Sequence, residues 1–330
     1  MRRIVVTASL VWLLSGMGYL AFVRAQANPV APGTAAAQAK PTPALPLAQL
    51  QREFKTLPFK AGEKLVYEVK YTRFPIAAKV GEVTFEYVGE AEPPGVPATD
   101  EAFFQRLDLS FQPNAQERYF RLRASAVSKG ILIALFGIDV LNRYETLVDR
   151  QDFSARLHWR EIKEGKKREA QAALFEREPA GVNYKFTDLT KPQAEVKRKP
   201  LPRAEGMLDL ISALYFVRLQ KLKEGELLRF PVSDDGVNYV FDIVVGKKEK
   251  LKTDCGKLNT IRIEPKLFGP GQLFARQGEM TMWLTADKRH IPVKLIAKTS
   301  GGTASARLLN FKNNCSIVEP SKAELEPPAK

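Results

Sequence analysis

The side chains best suited to chemistry are scarce in this 330-residue chain, which holds two cysteines, Cys255 and Cys315, and two histidines, His158 and His290. Zinc arrays, iron–sulfur clusters and thiol redox centres need clustered ligands or closely spaced thiols, so this count nearly excludes them. The two cysteines flank the last group of predicted strands. In an oxidising compartment they would form a disulfide, contributing roughly 4 kcal/mol for a loop of this size. A reactive thiol with His158 or His290 as its base has no nucleophile signature around either cysteine, and a Cys2His2 metal site lacks the short ligand spacings. The exported part of the chain has no G-x-S-x-G elbow, S-x-x-K pair, H-E-x-x-H or phosphate loop. Asp139, Glu145, Asp149 and Asp209 are candidates for a buried acid–base pair of carboxylates. The plainer reading makes Asp209 a helix-start residue and the others turn or edge-strand charges. The expectation is therefore no catalytic residue, no metal and no cofactor.

Binding is the better-motivated activity. The run Ile131-Leu132-Ile133-Ala134-Leu135-Phe136-Gly137-Ile138 is the most apolar stretch outside the leader. It reads as a buried strand or short helix, or as the lip of an apolar cavity. On the second reading Ile131, Ile133, Leu135 and Phe136, together with Tyr215 and Trp283, are the candidate ligand-binding residues. Lys and Arg outnumber Asp and Glu by 51 to 37, a formal charge of +14. The excess gathers at Lys163, Lys166, Lys167 and Arg168, at Lys197, Arg198, Lys199 and Arg203, and at Lys247, Lys248, Lys250 and Lys252. Such clusters are commonly solvated hairpin tips and linkers. As a contact for an anionic surface, Lys166, Lys167, Arg168, Lys197, Arg198 and Lys199 are the candidates, each contributing about 1 kcal/mol near a charged membrane. Anionic lipid, lipopolysaccharide, a wall polymer or another envelope protein would be suitable partners. Nucleic acid is disfavoured by the leader and by the lack of a recognition motif.

The elements that must position these residues follow from patterning. Arg2 and Arg3, the apolar stretch Ile4 to Val23 and the site Ala25-Gln26-Ala27 predict a signal peptide over 1–27, cleaved after Ala27 or retained as an inner-membrane tether. Residues 28–57 form an Ala/Pro-rich linker and 316–330 a disordered tail, leaving 58–315 as one β-rich domain. Leu65, Tyr67, Val69 and Tyr71 alternate with polar neighbours, and Val83, Phe85 and Tyr87 do the same. So do Gln105 to Phe111 and Phe120 to Ala126, each predicting a strand with one face on a core. Arg156 to Glu176 predicts a charged hairpin turning at Glu164-Gly165, and further strands are expected at 239–245, 258–264, 280–285, 292–298 and 304–311. Between Gly206 and Gly225, Met207, Leu210, Ile211, Leu214, Tyr215 and Val217 recur at intervals of three and four. They predict one amphipathic helix, with Asp209 near its positive end. The fold class expected is mainly β, a β-rich α+β arrangement. It would be a large curved antiparallel sheet, or a partly closed β-barrel, with this helix packed against it.

Three ordered motifs carry a resemblance. Phe59-Lys60-Ala61-Gly62-Glu63-Lys64-Leu65-Val66-Tyr67 comes first. Asp209 to Arg218 follows, with Leu222 and Gly225. Met282-Trp283-Leu284-Thr285-Ala286-Asp287 comes last, with Ile291-Pro292-Val293. Together the sequence from Pro58 to Phe311 resembles the bacterial domain of unknown function 3108. The resemblance implies exported, β-rich envelope proteins and brings no established reaction or catalytic residues. Compartment, architecture and charge together give the expectation of a non-enzymatic envelope protein that binds a lipid-like or amphipathic ligand in an apolar cleft. The alternatives are an adaptor pairing through a sheet edge, and a glycan-acting hydrolase or transferase.

Overall fold

The structure, a computed structural model, describes residues 57–91, 101–111, 117–129, 139–191, 194–253, 256–267 and 278–309. The runs of period two become strands: β1 (Glu63–Arg73), β2 (Ile76–Ala91), β3 (Tyr119–Ser128), β4 (Leu141–Asp149), β5 (Ala155–Glu164), β6 (Lys167–Glu176) and β7 (Gly181–Asp188). They continue as β8 (Lys197–Leu201), β9 (Leu227–Asp234), β10 (Val237–Thr253), β11 (Gly256–Pro265), β12 (Gly278–Thr285), β13 (Pro292–Thr299) and β14 (Gly302–Leu308). The helices are α1 (Glu101–Arg106) and α2 (Leu210–Arg218).

All fourteen strands join one antiparallel sheet in the order β8-β7-β6-β5-β4-β3-β2-β1-β14-β13-β12-β11-β10-β9. Two meanders, β1–β8 and β9–β14, are thus zipped together where β1 meets β14, with Tyr67 opposite Leu308. Both outer edges are blunted. On β8, Lys197, Arg198, Lys199 and Pro200 are exposed, and cations and a proline on an edge discourage further pairing. On β9, Pro231 lacks an amide hydrogen, and Leu208 covers the edge: its N–H donates to the Pro231 carbonyl (3.0 Å) and its carbonyl accepts from Ser233 N–H (2.8 Å).

The sheet curls until distant strands meet. Arg160 of β5 reaches Asp234 of β9, although the two strands stand far apart in the sheet order. The β9–β10 turn lies against Tyr184 of β7, and Gly236 adopts φ +68° there. A Cβ on Gly236 would fall 2.8 Å from the Tyr184 ring, so only glycine allows this approach. Residues 202–208 stitch the gap: Asn238 Nδ2 donates to the Pro202 carbonyl (2.6 Å) and Ala155 N–H to the Met207 carbonyl (2.9 Å). No ladder joins β8 to β9, so the expected partly closed form is what is found.

Inside the curl lies α2. Asp209 is fully buried and caps the helix, accepting from Ile211 N–H (2.8 Å) and Ser212 N–H (3.3 Å), while Ser212 Oγ accepts from Asp209 N–H (2.9 Å). The basic residues Lys221 and Lys223 fall beyond the helix, and only Arg218 occupies its last turn. Arg218 fixes that end. Its guanidinium pairs with Glu63 through two bonds of 2.5 and 3.0 Å, Nε donates to the Arg289 carbonyl, and the group stacks over Phe59. A run of ring contacts from Phe59 through Tyr87, Phe120 and Phe153 returns to the helix at Phe216.

One expected strand is corrected. Gln105 to Phe111 is not a strand: α1 ends at Arg106, and the chain then lies across the outer face of the sheet. Phe104, Leu107 and Leu109 pack there on Tyr119, Leu147 and Leu157 as a second apolar cluster. After the helix the chain buries Leu107 and Leu109 on the sheet and exposes Asp108 and Ser110, which imitates strand alternation.

Candidate functional site

Leu210, Ala213, Leu214 and Val217 form one face of α2. Between it and the inner faces of β10–β14 lies an apolar cleft of about 140 Å³, lined by Phe241, Ile243, Ile263, Met280, Met282 and Leu295 among others. The space follows from side-chain size: Ala213 and Ala306 leave room that the facing methionines do not fill. Tyr67 contributes only its ring, because its hydroxyl donates to the Pro292 carbonyl at 2.7 Å. Burial pushes that phenol far above its usual range.

The β11–β12 ladder pairs only Thr260–Ile263 with Met282–Thr285. Outside that pairing, among the described residues, a second recess of about 200 Å³ is lined by Arg262, Glu264 and Lys266 of one strand end and Glu279 and Thr281 of the other. Pro265, Leu267 and Met280 line both recess and cleft. Burial pushes the Glu264 carboxyl up, but its bonds to Arg262 Nη2 and Lys266 Nζ (3.2 Å) and the charges of both cations together outweigh burial and hold it below the usual range.

Across the helix the interior is polar. Arg160, 2% exposed, donates to Gln171 (2.6 Å), Asp234 (3.3 Å) and Asp235 (2.8 Å), and Tyr184 donates to Gln171 and Asp235. Burial raises the Asp234 carboxyl to about 6 despite the pull of Arg160. Thr146 Oγ1 donates to Asp209 Oδ1 (3.1 Å) and lies 2.9 Å from His158 Nδ1. Burial lowers the His158 imidazole to about 4, Asp209 opposing and Arg160 adding to the shift. Ser212, His158 and Asp209 therefore stand together, yet the serine hydroxyl donates to Asp209 Oδ2 (2.7 Å) and not to the imidazole. This is the arrangement of a helix cap, with the carboxylate spent on the α2 backbone. Among the described residues no group of three or more His, Cys, Asp or Glu side chains could hold a metal.

The residues expected from the sequence are scattered. Ile131, Ile133, Leu135 and Phe136 lie outside the described residues, as do Cys255 and Cys315. Tyr215 is 1% exposed and packs against Phe59 on a different face of α2 from the cleft. Trp283 points to the outer face, where its indole N–H donates to Glu249 and Lys294 lies 5.3 Å from its ring. Neither borders the cleft. Of the six cations, Lys166 and Lys199 are exposed, Lys167 pairs with Glu169, and Arg198 pairs with Asp108. Arg168 folds back on the Gly165 and Lys167 carbonyls, and Lys197 lies over Phe186. Among the candidate carboxylates, Asp139 is exposed and pairs with Lys163. Glu145 is buried with Arg121 and Arg123, and Asp149 with Arg177. Asp209 is the helix-start residue expected of it.

The sequence profile of a family described as a protein of unknown function, DUF3108, matches residues 95–309. The chain belongs to that family. The DUF3108 match spans roughly two-thirds of the chain and contains α2, the cleft strands β10–β14 and both later motifs, while the opening Phe59–Tyr67 precedes it. Among solved structures, the chain is similar to a beta-barrel-like protein of domain of unknown function DUF1849 from Brucella abortus. The TM-score is 0.43 at 12% identity, covering 76% of this chain and 96% of that one. No curated protein matches the sequence.

Proposed function

We propose that this DUF3108 chain is an exported envelope protein that binds, without catalysing a reaction, the apolar chain of a lipid-like or amphipathic ligand. The observation that carries this reading is the apolar cleft beside α2, lined by side chains of the helix and of β10–β14. Its size limits the ligand. An apolar cavity of about 150 Å³ holds one benzene ring, so this cleft accommodates the last four or five methylenes of a chain and not a whole lipid. At about 0.8 kcal/mol per methylene that segment contributes ~4 kcal/mol, which alone corresponds to a dissociation constant of about 1 mM. The exposed Lys166 and Lys199 would add attraction to an anionic membrane, weakened by salt.

Native mass spectrometry of the gently purified protein, with extraction of copurifying lipid, tests the reading. The expected result is a bound amphipath that is lost in Leu214→Trp, whose indole would occupy the cleft. A ligand-free protein that binds neither acyl probes nor anionic vesicles at low salt would overturn it.

A further inference from the structure

The basic cluster Lys247, Lys248, Lys250 and Lys252 falls on the hairpin of β10 and β11, in a setting unlike that of the other two clusters. The ladder of β10 with β9 ends at Val244, and that of β11 with β12 ends at Thr260. Beyond those points, among the described residues, the two strands pair only with each other. The resulting ribbon has two unlike faces, because residues directly opposite share a face and the side-chain period is two. Glu249, Leu251 and Leu258 lie on one, and Lys248, Lys250, Lys252 and Lys257 on the other. The first face is anchored: Leu251 and Leu258 pack against the main core, and Glu249 accepts from the Trp283 indole N–H. The second is turned to solvent. All four lysines are exposed, and among the described residues none of them forms an ion pair. Lys252 and Lys257 stand directly opposite each other, which costs folding stability. Lys70 and Lys79 are also opposite, but both pair with Glu68. No carboxylate of the described residues does this for Lys252 and Lys257. Asp254 and Cys255, between the strands, lie outside the described residues and are no part of the surface.

We infer that the lysine face of the β10–β11 ribbon is a docking surface for a bilayer that carries anionic lipid. Only the membrane is taken from the reading above; the cleft plays no part. Charge complementarity selects the partner, and the layout of the charges selects its form. Steps of two residues along a strand are roughly 6.6 Å and neighbouring strands stand about 4.8 Å apart, so the four ammonium groups rise from one plane. A single small anion could meet the Lys252–Lys257 pair and would leave Lys248 and Lys250 unanswered. All four cations are lysines, point charges on flexible stems without the fork that arginine offers a fixed phosphate. Such charges suit a fluid sheet of headgroups whose anions move to meet them. Phosphates bound there would also relieve the repulsion between Lys252 and Lys257. The contact thereby moves from Lys166 and Lys199, which stand on separate elements, to one ribbon whose other face is fixed to the protein.

Cosedimentation of the full chain with phosphatidylcholine vesicles, with and without one-third phosphatidylglycerol, tests the assignment. The readout is the ratio of the two affinities, so that contact independent of charge cancels. The ratio is expected to be large at low salt and to fall steeply as salt is raised. At about fivefold per lysine near a charged surface, Lys248→Ala, Lys250→Ala, Lys252→Ala and Lys257→Ala combined should lower it at least about fiftyfold. The urea midpoint of that variant should be unchanged or raised, since no native partner is lost. In a comparison of equal charge, Lys252→Ala with Lys257→Ala should lower the ratio about tenfold or more, and Lys166→Ala with Lys199→Ala less than about threefold. Leu214→Trp should leave it unchanged. Equal losses from the two pairs, or a parent with no preference for phosphatidylglycerol, overturns the docking surface and leaves the cleft to be decided by acyl probes. A protein that docks through the ribbon but takes up no acyl probe supports the surface and overturns the cleft reading alone. Polyphosphate that displaces the protein at a phosphate concentration below that of the vesicle lipid would make the partner a soluble polyanion and overturn the membrane assignment.

Discussion

On one side of α2 the curled sheet is filled by hydrogen-bonded polar side chains, and on the other by apolar side chains that stop short of filling it. In the β4–β7 arm, Arg160 and Tyr184, linked through the Gln171 side-chain oxygen, are committed to Asp234 and Asp235, carboxylates at the turn of the opposite arm. In the β10–β14 arm, an apolar cleft separates part of the facing side chains from Leu210 and Leu214. Directional bonds fix one separation between two walls, whereas apolar contact tolerates a range. The difference teaches how one small domain can hold a fixed seam and an unfilled space at once: the polar half sets the curvature, and the apolar half inherits a gap.

The comparison can be broken most severely at Arg160. Arg160→Ala leaves Asp234 and Asp235 without their buried partner and should cost about 3–5 kcal/mol in urea unfolding. A loss below about 1 kcal/mol would mean that the seam does not hold the arms together.

Acid should act through the same half with two opposed effects. The folded His158 value of about 4 lies below the ordinary imidazole value of 6.5, so between pH 6.5 and 4 the unfolded chain binds the extra proton, and stability falls as pH falls. Asp234, raised from 3.8 to about 6, does the reverse: the folded chain binds the extra proton, and stability is gained as pH falls from 6 towards 4. Each amounts to roughly 3 kcal/mol, so the parent should change little over this window from these two groups. Asp234→Asn should uncover the histidine effect as a steep loss below pH 6.5, measured by denaturant midpoints at several pH values. A parent and variant with identical pH profiles would show that these two groups do not titrate in the folded seam as their burial implies.

Asp209→Ala removes the cap of α2 and the acceptor of Thr146, and should cost about 2 kcal/mol. The smallest expected effect sharpens the contrast between halves. Ala173→Leu, against Phe175 and Met207, should overpack and cost about 1–3 kcal/mol, whereas Ala213→Leu should cost less than about 1 kcal/mol because its added carbons enter the cleft. Equal costs in thermal unfolding would mean that the cleft is not available space.

The strands of the β10–β14 arm are legible in the sequence because one face of each meets the core and the other meets water. The strand β4 is not: Tyr144, Thr146 and Val148 face α2, while Glu145, Leu147 and Asp149 are covered from outside, so alternation vanishes under burial on both faces. The helix is legible from Asp209 and its three-four spacing, but which face borders free space depends on the size of partners far along the chain. Trp283 illustrates the limit. Its aromatic character suggested a lining residue, yet the register with Lys294 turns it outward, and register is a property of the paired strands.

The junction of β1 with β14 sets a schedule for synthesis. Tyr67 finds its partner only when Leu308 exists, 241 residues later. At about 5–20 residues per second, the first strand waits roughly 12 to 48 s with one flank bare. Everything between must be made before the two meanders can be joined, so the growing chain is most open to misdirected strand addition at its earliest ribbon, and a helper that shields residues 63–73 during that interval would raise yield without changing the finished molecule.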